Sequence, residues 1–431
     1  MKKNNVYKQV IFTMIVMMIT CGEILAAGSH NKDRKSQQDY ISVKGKVVDA
    51  ETGTPLIFAG VAVKESNIAT VTNVDGEFLI KVPQDENIVI VFSFLGYKNK
   101  EIPVTSLRQN GQKNTVELEP ATIPIKEVVV KPLDPDYIMR EVVRNIYNNY
   151  PEVPNDMSAF YRETIRKNRS YVSIGEAVVD IFKAPYSNSF RTDATKIYKG
   201  RKNSDNARLD TVLFKLQGGP VTSLDLDLAK NPETILTEES LAQYDFSLSG
   251  VVVIDNRPNY IISFVQKPDI SIPLFTGKFY IDVNSYAISE AEFGVNMTDK
   301  ASVTSMFVRK KPIGMSVTPE ITSYLVKYKE SKGKWYFAYS RAEVKFKVDW
   351  KKKLFKTTYT TMSEMAVTDR TEENVIKFQP KERLKPSGIF TDEVAAFADP
   401  DFWGEYNVIE PDQSIDAAIR RLNRKFKLNE R

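Results

Sequence analysis

The sequence is nearly devoid of the two residue types on which many hydrolases and zinc sites depend. It contains one cysteine, Cys21, and one histidine, His30. His30 lies in a polar stretch typical of a flexible tether, so Ser-His-Asp catalysis, Cys-His catalysis and a His/Cys zinc site are excluded. A lone cysteine also excludes an intramolecular disulfide, so stability must come from burial. The sequence therefore predicts no metal and no other cofactor.

Long apolar runs and a strong net charge are also missing. Beyond the N-terminal segment, no run approaches the roughly 20 apolar residues of a membrane-spanning helix. The formal net charge is +5, a surplus too small to indicate a nucleic-acid binder. The chain ends in a basic helical pattern rather than an aromatic-ended strand, which argues against an integral membrane barrel. The basic run 351–353 predicts a solvated hairpin tip, with contact to anionic lipid headgroups as the alternative.

The N-terminal segment has the pattern of a secretory signal peptide. Basic residues begin it, and an apolar run from Val10 to Ile19 follows. Leu25-Ala26-Ala27 then supplies a small-residue cleavage site, which predicts a signal peptide over residues 1–27, cleaved after Ala27. The alternative is a lipoprotein acylated at Cys21, although the residues before Cys21 match a lipobox poorly. Either reading predicts an exported protein, periplasmic or associated with the outer membrane.

After a tether over residues 28–40, the chain changes to short strands separated by turn residues. Alternation of apolar and polar residues begins at Ile41, and an Asp75-Gly76 turn leads into the strand that starts at Phe78. Five or more short strands at regular spacing within about 80 residues predict a small transthyretin/Ig-like β-sandwich over residues 41–119.

Three segments of this region resemble the carboxypeptidase regulatory-like domain of Bacteroidetes envelope proteins. They are VKGKVVDAETGTPLIFAGVAV (43–63), ATVTNVDGEFLIKVP (69–83) and IVFSFLGYKNKEIPV (90–104). The resemblance implies a transthyretin-like sandwich that serves as a non-catalytic accessory module. The linker strand predicted over residues 120–133 contains IKEVVVK (125–131), which is similar to the segment after this module in TonB-dependent receptors. A final strand or linker and a contact strand for an envelope partner are both compatible with it.

Residues 134–431 predict an α+β domain dominated by long antiparallel strands. Asp134-Pro135 is typical of a helix start, and apolar residues from Ile138 to Tyr150 recur at helical spacing. Strand patterns follow, over 171–182, 251–265, 278–283, 320–328, 342–350 and 355–365. The tail predicts a second amphipathic helix through Ile415, Ala418, Ile419, Leu422 and Phe426. The fold class is thus mainly β, a sandwich followed by a large curved sheet or half-barrel with a few helices.

TGKFYIDVNSYAISEAEFGVN (276–296) resembles the strand-turn-strand unit of LolA-like lipoprotein carriers and related half-barrels. That resemblance implies an apolar cavity, and packing of the same side chains in an ordinary core is the alternative. The candidate ligand-lining residues are Phe279, Ile281, Val344, Phe346, Val348 and Trp350.

Acidic pairs are the remaining source of chemistry. Asp225 and Asp227 read as neighbours on one strand face, and Glu238-Glu239 and Glu290/Glu292 are further pairs. Glycosidase carboxyls face each other across a groove, and solvated strand faces are the alternative.

The sequence therefore predicts a non-enzymatic envelope protein, in which the sandwich docks and the curved sheet binds an apolar ligand, such as lipid, or an envelope protein. A carboxylate-based glycan hydrolase is the alternative.

Overall fold

The computed structural model describes residues 40–109, 111–121, 134–187, 192–204, 218–307, 313–351, 354–396 and 402–420. The predicted signal peptide, Cys21, the cleavage site at Ala27, nearly all of the tether and most of the linker lie outside these residues. From Ile41 onward the chain belongs to one compact unit.

The N-terminal region is a β-sandwich of seven described strands in two sheets, as the turn spacing predicts. One sheet has the order β4-β1-β7 and the other β3-β2-β5-β6. Gly76 in the predicted turn has a φ of +74°, and a Cβ there would lie 2.9 Å from Val47 O. The strands are β1 (Tyr40–Asp49), β2 (Gly60–Val63), β3 (Ala69–Val71), β4 (Glu77–Pro83), β5 (Val89–Ser93), β6 (Lys100–Pro103) and β7 (Lys113–Leu118).

A second, much larger sheet follows. Its order is β11-β12-β13-β14-β15-β16-β17-β8-β9-β10-β18, in which ten strands are antiparallel and β18 pairs in parallel with β10. The strands are β8 (Asn155–Lys167), β9 (Ser170–Lys183), β10 (Ala194–Ser204), β11 (Tyr244–Ile254), β12 (Arg257–Gln266), β13 (Phe275–Asp282), β14 (Ile288–Val295), β15 (Met315–Ser331), β16 (Lys334–Trp350), β17 (Thr357–Thr371) and β18 (Ala395–Ala396). The predicted fold class is confirmed.

Helices cover one face of this sheet, here called the inner face. Helix α1 (Pro135–Asn149) starts at the predicted cap, where the Asp134 carboxylate accepts from the Asp136 N–H. Its apolar stripe is buried against the sheet, although Tyr147 is exposed. The structure also contains helices α2 (Pro220–Asp225), α3 (Glu238–Leu241) and α4 (Lys300–Phe307), with 3₁₀ turns at Val104–Ser106, Pro232–Thr234, Pro380–Glu382 and Phe390–Asp392.

Two local predictions were wrong. The apolar run 251–265 is not one strand but the β11–β12 hairpin, because Asp255 and Asn256 turn the chain with φ values of 49° and 59°. A two-residue hairpin turn favours residues that can adopt positive φ. Apart from Gly, Asn and Asp adopt positive φ most readily. Asp225 and Asp227 are not on a strand, since Asp225 ends α2.

The sandwich packs on the opposite, outer face of the large sheet. Val71 of the sandwich shares a buried cluster with Phe160 and Tyr339 of the sheet and with Trp403 and Val408. The last two belong to residues 402–412, here called the clamp segment, which lie between the sandwich and the sheet. The described part of the predicted C-terminal helix, α5, covers residues 413–420, while Leu422 and Phe426 lie outside the description. Among the described residues, no helix is long and apolar enough to cross a membrane.

Candidate functional site

A cleft of about 280 Å³ opens where the sandwich, the outer face of the large sheet and the clamp segment meet. Here it is called the junction cleft. All three parts of the fold contribute to its wall, so its shape depends on their docking. Its lining includes Phe58, Asn73 and Val74 of the sandwich, Arg162, Arg166, Tyr171, Arg341, Glu343, Met362 and Glu364 of the sheet, and Asp412, Ser414 and Ile415.

A row of alternating charges crosses the outer face of the large sheet, and three of its members line the junction cleft. Five residues occupy directly opposite positions on five adjacent strands, β16-β17-β8-β9-β10, so each carboxylate lies between two guanidinium groups. Opposite charges on facing strand positions attract, and like charges would repel. We call this row the charge ladder, and its members in spatial order are Arg341, Glu364, Arg162, Glu176 and Arg201.

Arg162 is the central member of the charge ladder and is fully buried. Its Nε donates to Glu176 at 2.8 Å, and a terminal nitrogen donates to Glu364 at 3.2 Å. The other terminal nitrogen donates to Ile409 O of the clamp segment at 2.7 Å. Every side of this guanidinium is therefore bonded, which is the condition under which a buried charge is tolerated.

Glu176 is also fully buried, and Arg201 donates to its second oxygen at 2.9 and 3.0 Å. Burial alone would raise the pKa of Glu176, but the adjacent guanidinium groups of Arg162 and Arg201 outweigh it and hold the pKa below its ordinary value. The Glu176 carboxylate is thus ionised at neutral pH and forms ion pairs with both arginines.

The mouth of the cleft is aromatic and cationic. Arg341 lies over the Phe58 ring at 5.0 Å and donates to Glu343 at 2.9 Å. Arg166, whose side chain is 37% exposed, lies 3.7 Å from Glu343 and 5.7 Å from the Tyr171 ring. Guanidinium groups stacked on rings present flat apolar and donor surfaces together, which suits recognition of a polypeptide segment.

The inner face holds a separate buried polar cluster. Lys183 Nζ lies 2.6 Å from Asp193 and 2.7 Å from Asp227. Asp227 accepts from the Tyr186 hydroxyl at 2.6 Å and from the Tyr328 hydroxyl at 2.9 Å. Burial and the Asp227 charge raise the pKa of both tyrosines well above its ordinary value. This cluster ties the segment after α2 to the sheet, so Asp227 is a buried anchor rather than part of a solvated face.

The other acidic pairs do not face each other across a groove. Glu290 pairs with Lys327 at 3.2 Å, and Glu238 and Glu239 lie in the first turn of α3. Among the described residues, no group of three or more His, Cys, Asp or Glu side chains is placed to hold a metal ion.

The six candidate ligand-lining residues fall into two clusters. Phe279 and Ile281 are fully buried in the inner-face core beneath α1, where Phe279 stacks on Phe264 at 4.6 Å. The other four lie in the C-terminal half of β16, in a smaller cluster with Phe307 of α4. The two groups belong to separate buried clusters, and the assignment of a ligand to either group stays a prediction. The members of the smaller cluster are Val344, Phe346, Val348 and Trp350.

Sequence reasoning missed the charge ladder. A usable signal was present, since Glu176 is the only charge in the strand segment YVSIGEAVV (171–179), and Arg162 lies in the strand AFYRETI. An isolated charge inside an apolar strand requires a buried partner of opposite sign. The identity of that partner depends on which strands are neighbours, and the sequence pattern does not contain that information.

Comparison with known proteins identifies the sandwich. Residues 43–130 match the model of the CarboxypepD_reg-like domain. The sandwich is a CarboxypepD_reg-like domain. A stretch of 130 residues is also 37% identical to the TonB-dependent receptor SusC of Bacteroides thetaiotaomicron, covering 30% of this chain and 11% of the receptor. The chain therefore spans about a ninth of the length of this relative. Both matches support a Bacteroidetes envelope protein with this N-terminal domain.

Two solved structures are similar to the chain at low level. A DUF1329 family protein from Desulfovibrio piger has 10% identity and a TM-score of 0.25, covering 57% of this chain and 96% of its own. Lipovitellin has 11% identity and a TM-score of 0.23, covering 59% of this chain and 28% of its own. TM-scores this low do not establish a shared fold. The CarboxypepD_reg-like domain and the SusC-like region are non-catalytic, and both matches point to an envelope-related location.

Proposed function

We propose that this is an exported, non-enzymatic binding protein of the envelope, whose junction cleft holds a segment of an envelope protein partner. The observation that carries the proposal is the composition of the cleft wall. The CarboxypepD_reg-like domain, the large sheet and the clamp segment all line it. A partner bound there contacts the CarboxypepD_reg-like domain and the large sheet at once. The CarboxypepD_reg-like domain therefore serves as half of a binding site as well as a docking module.

The chemistry of the cleft favours a polypeptide over a lipid. Its three arginines face three carboxylates, Glu343, Glu364 and Asp412, so the lining is close to neutral and rich in donors and acceptors. Its volume of about 280 Å³ lies just below the roughly 300–1,000 Å³ typical of small-molecule pockets. A short peptide stretch with one anchoring side chain fits these dimensions better than an acyl chain does.

Binding is also favoured over hydrolysis. Glu364 accepts from Arg162, Arg341 and the Tyr339 hydroxyl, so both of its oxygens are occupied. Glu343 accepts from Arg341. A hydrolase carboxylate must reach the scissile bond of its substrate, whereas these two carboxylates are engaged by neighbouring guanidinium groups. The alternative of a carboxylate-based glycan hydrolase gains no support from this arrangement.

Site-specific photo-cross-linking in native envelopes tests the proposal. A cross-linking residue at Val74, at the cleft, is expected to give one discrete protein adduct, and one at the exposed Tyr147 of α1 is expected to give none. Arg166→Glu should abolish the adduct, whereas Arg144→Glu on α1 is the matched control and should leave it intact. Equal adducts at both positions, or an adduct insensitive to Arg166→Glu, would contradict the proposal.

Export through the predicted signal peptide is part of this proposal. Intact-mass measurement of the protein from its own envelope is expected to show a mature N-terminus near Gly28. A mass that corresponds to acylated Cys21 would instead make the protein a lipoprotein, and it would leave the junction-cleft proposal unaffected.

A further inference from the structure

One end of the large sheet presents large apolar side chains to solvent. Ile313, Leu354 and Phe355 have exposed fractions of 104%, 97% and 83%. They lie in two neighbouring connections, because the Lys351 N–H donates to Gly314 O at 3.0 Å and Met315 pairs with Trp350 across β15 and β16. We call these three residues the apolar tip. Scattered single apolar residues are ordinary on a surface, but a group of almost fully exposed apolar side chains marks an interaction site.

Basic side chains surround the apolar tip. Lys351 and Lys356 flank Leu354 and Phe355 in the β16–β17 connection. The β8–β9 turn lies beside it, since the Asn168 N–H donates to Thr358 O at 2.7 Å. That turn adds two more basic residues to the same end of the sheet, Lys167 and Arg169.

The carboxylates at this end are already paired with lysines. Glu320 lies 3.3 Å from Lys345 and 3.6 Å from Lys347, and Asp349 lies 3.3 Å from Lys356. The local charge surplus therefore remains positive.

A compact apolar cluster supports the tip from below. Phe346 and Val348 of β16 are buried against Met315 and Val317 of β15, and the Phe307 ring of α4 lies 6.2 Å from the Phe346 ring. Trp350 borders this cluster next to the tip. The exposed side chains therefore project from a packed base, and their exposure does not come from a poorly packed end of the sheet.

We propose that the apolar tip binds the surface of an anionic lipid bilayer. Ile313, Leu354 and Phe355 insert at the boundary between headgroups and acyl chains, and the surrounding lysines and arginine contact lipid phosphates. Apolar residues combined with Lys and Arg are the composition that binds this interface. A second copy of the same tip is disfavoured as occupant, because two basic surfaces repel. This inference is independent of the junction cleft, which lies on the outer face.

Vesicle flotation with the purified full chain tests this inference. The protein should float with phosphatidylethanolamine/phosphatidylglycerol vesicles, and it should bind phosphatidylcholine vesicles much more weakly. Leu354→Ser combined with Phe355→Ser should weaken partitioning by at least about tenfold, because two apolar side chains no longer leave water. Lys351→Glu combined with Lys356→Glu should weaken it by about 25-fold or more, at roughly fivefold for each lysine lost.

Matched controls separate the tip from general charge and hydrophobicity. Ile376→Ser removes an exposed apolar residue elsewhere, and Lys278→Glu combined with Lys329→Glu reverses two exposed lysines on β13 and β15. Both controls should float like the wild type. All variants carry the same N-terminus, so an acyl anchor would contribute equally to each of them.

Three outcomes would overturn the inference. They are the absence of wild-type flotation with the anionic vesicles, tip variants that float as well as their controls, and a tip cross-link to a protein without any vesicle binding. In the expected case, vesicles should also shift the tryptophan emission to the blue. Trp350 should be responsible, because Trp335 and Trp403 are already buried.

Discussion

Arg162 and Glu364 face each other across β8 and β17, although 202 residues separate them in the sequence. Their 3.2 Å contact is one step of the charge ladder, and Arg162 also bonds Ile409 O of the clamp segment. A single guanidinium thus connects the centre of the large sheet to the segment that fastens the CarboxypepD_reg-like domain. The ladder is therefore the element through which the stability of the sheet and the shape of the junction cleft are coupled.

Removing Arg162 should be strongly destabilising. Arg162→Met keeps the apolar stem but removes one guanidinium partner from each of the buried carboxylates Glu364 and Glu176, at a cost of about 3–5 kcal/mol. Arg140→Met on the exposed surface of α1 is the control, and it should stay within about 0.5 kcal/mol of the wild type. Chemical denaturation measures both. A loss below about 1 kcal/mol for Arg162→Met would show that the ladder does not hold the outer face together.

The sandwich and the long strands could be predicted because their information is local. Val344, Phe346 and Val348 are buried and alternate with Lys345 and Lys347, as the period-2 pattern requires. The helix start at Asp134 could likewise be predicted from its own segment alone. The β11–β12 turn was missed although its signal is also local, since Asp255 and Asn256 are followed by Arg257, Pro258 and Asn259, and the two turn residues adopt positive φ.

The junction cleft could not be predicted, because its walls come from contacts between distant segments. Alternation shows which residues share a strand face, but strand neighbours such as β17 and β8 are set by the global topology. Phe58 of the sandwich stacks on Tyr339 of β16, a contact for which neither local sequence contains a signal. Docking of the sandwich also determines where the clamp segment lies, so the whole site depends on tertiary packing.

Asn407 of the clamp segment should be the main polar attachment of the sandwich. Its side chain accepts from the Lys81 N–H at 2.6 Å and donates to Lys81 O at 3.0 Å, as a neighbouring strand would. Asn407→Ala removes both bonds and should cost about 2 kcal/mol. Asn148→Ala is the control, because its exposed side chain bonds Asn145 on the same helix. Thermal unfolding compares the two, and equal melting temperatures would refute this role.

Phe346 and Phe355 provide a matched pair for the apolar cluster and the tip. Phe346 is buried in the cluster, whereas Phe355 is 83% exposed. Phe346→Ala should cost roughly 3–5 kcal/mol, since the remaining side chains cannot fill the cavity. Phe355→Ala should change the free energy of unfolding by less than about 0.5 kcal/mol. Similar losses for both would mean that the tip is part of the folded core rather than a free surface.

Glu163 should make the stability of the protein depend on pH. It is buried on the inner face, where its main polar contact is the Tyr161 hydroxyl, which donates to it at 2.8 Å. Burial raises its pKa from 4.5 to about 8, and the nearby Asp392 charge adds to the shift. Below pH 8 the folded protein therefore holds a proton on Glu163 that the unfolded chain releases above about pH 4.5.

The linkage between proton binding and folding determines whether stability rises or falls with pH. Because the folded state binds the extra proton between about pH 4.5 and pH 8, the Glu163 contribution to stability is complete below this window. It is lost as the pH rises through the window, by up to about 5 kcal/mol, and it is constant above about pH 8. Glu163→Gln has no carboxyl to titrate, so its stability advantage over the wild type should grow from about pH 5 to pH 8 and then level off. Denaturation series over this range, with the exposed Glu152→Gln as the control, measure the difference. An advantage that stays constant with pH would mean that Glu163 is ionised in the folded protein.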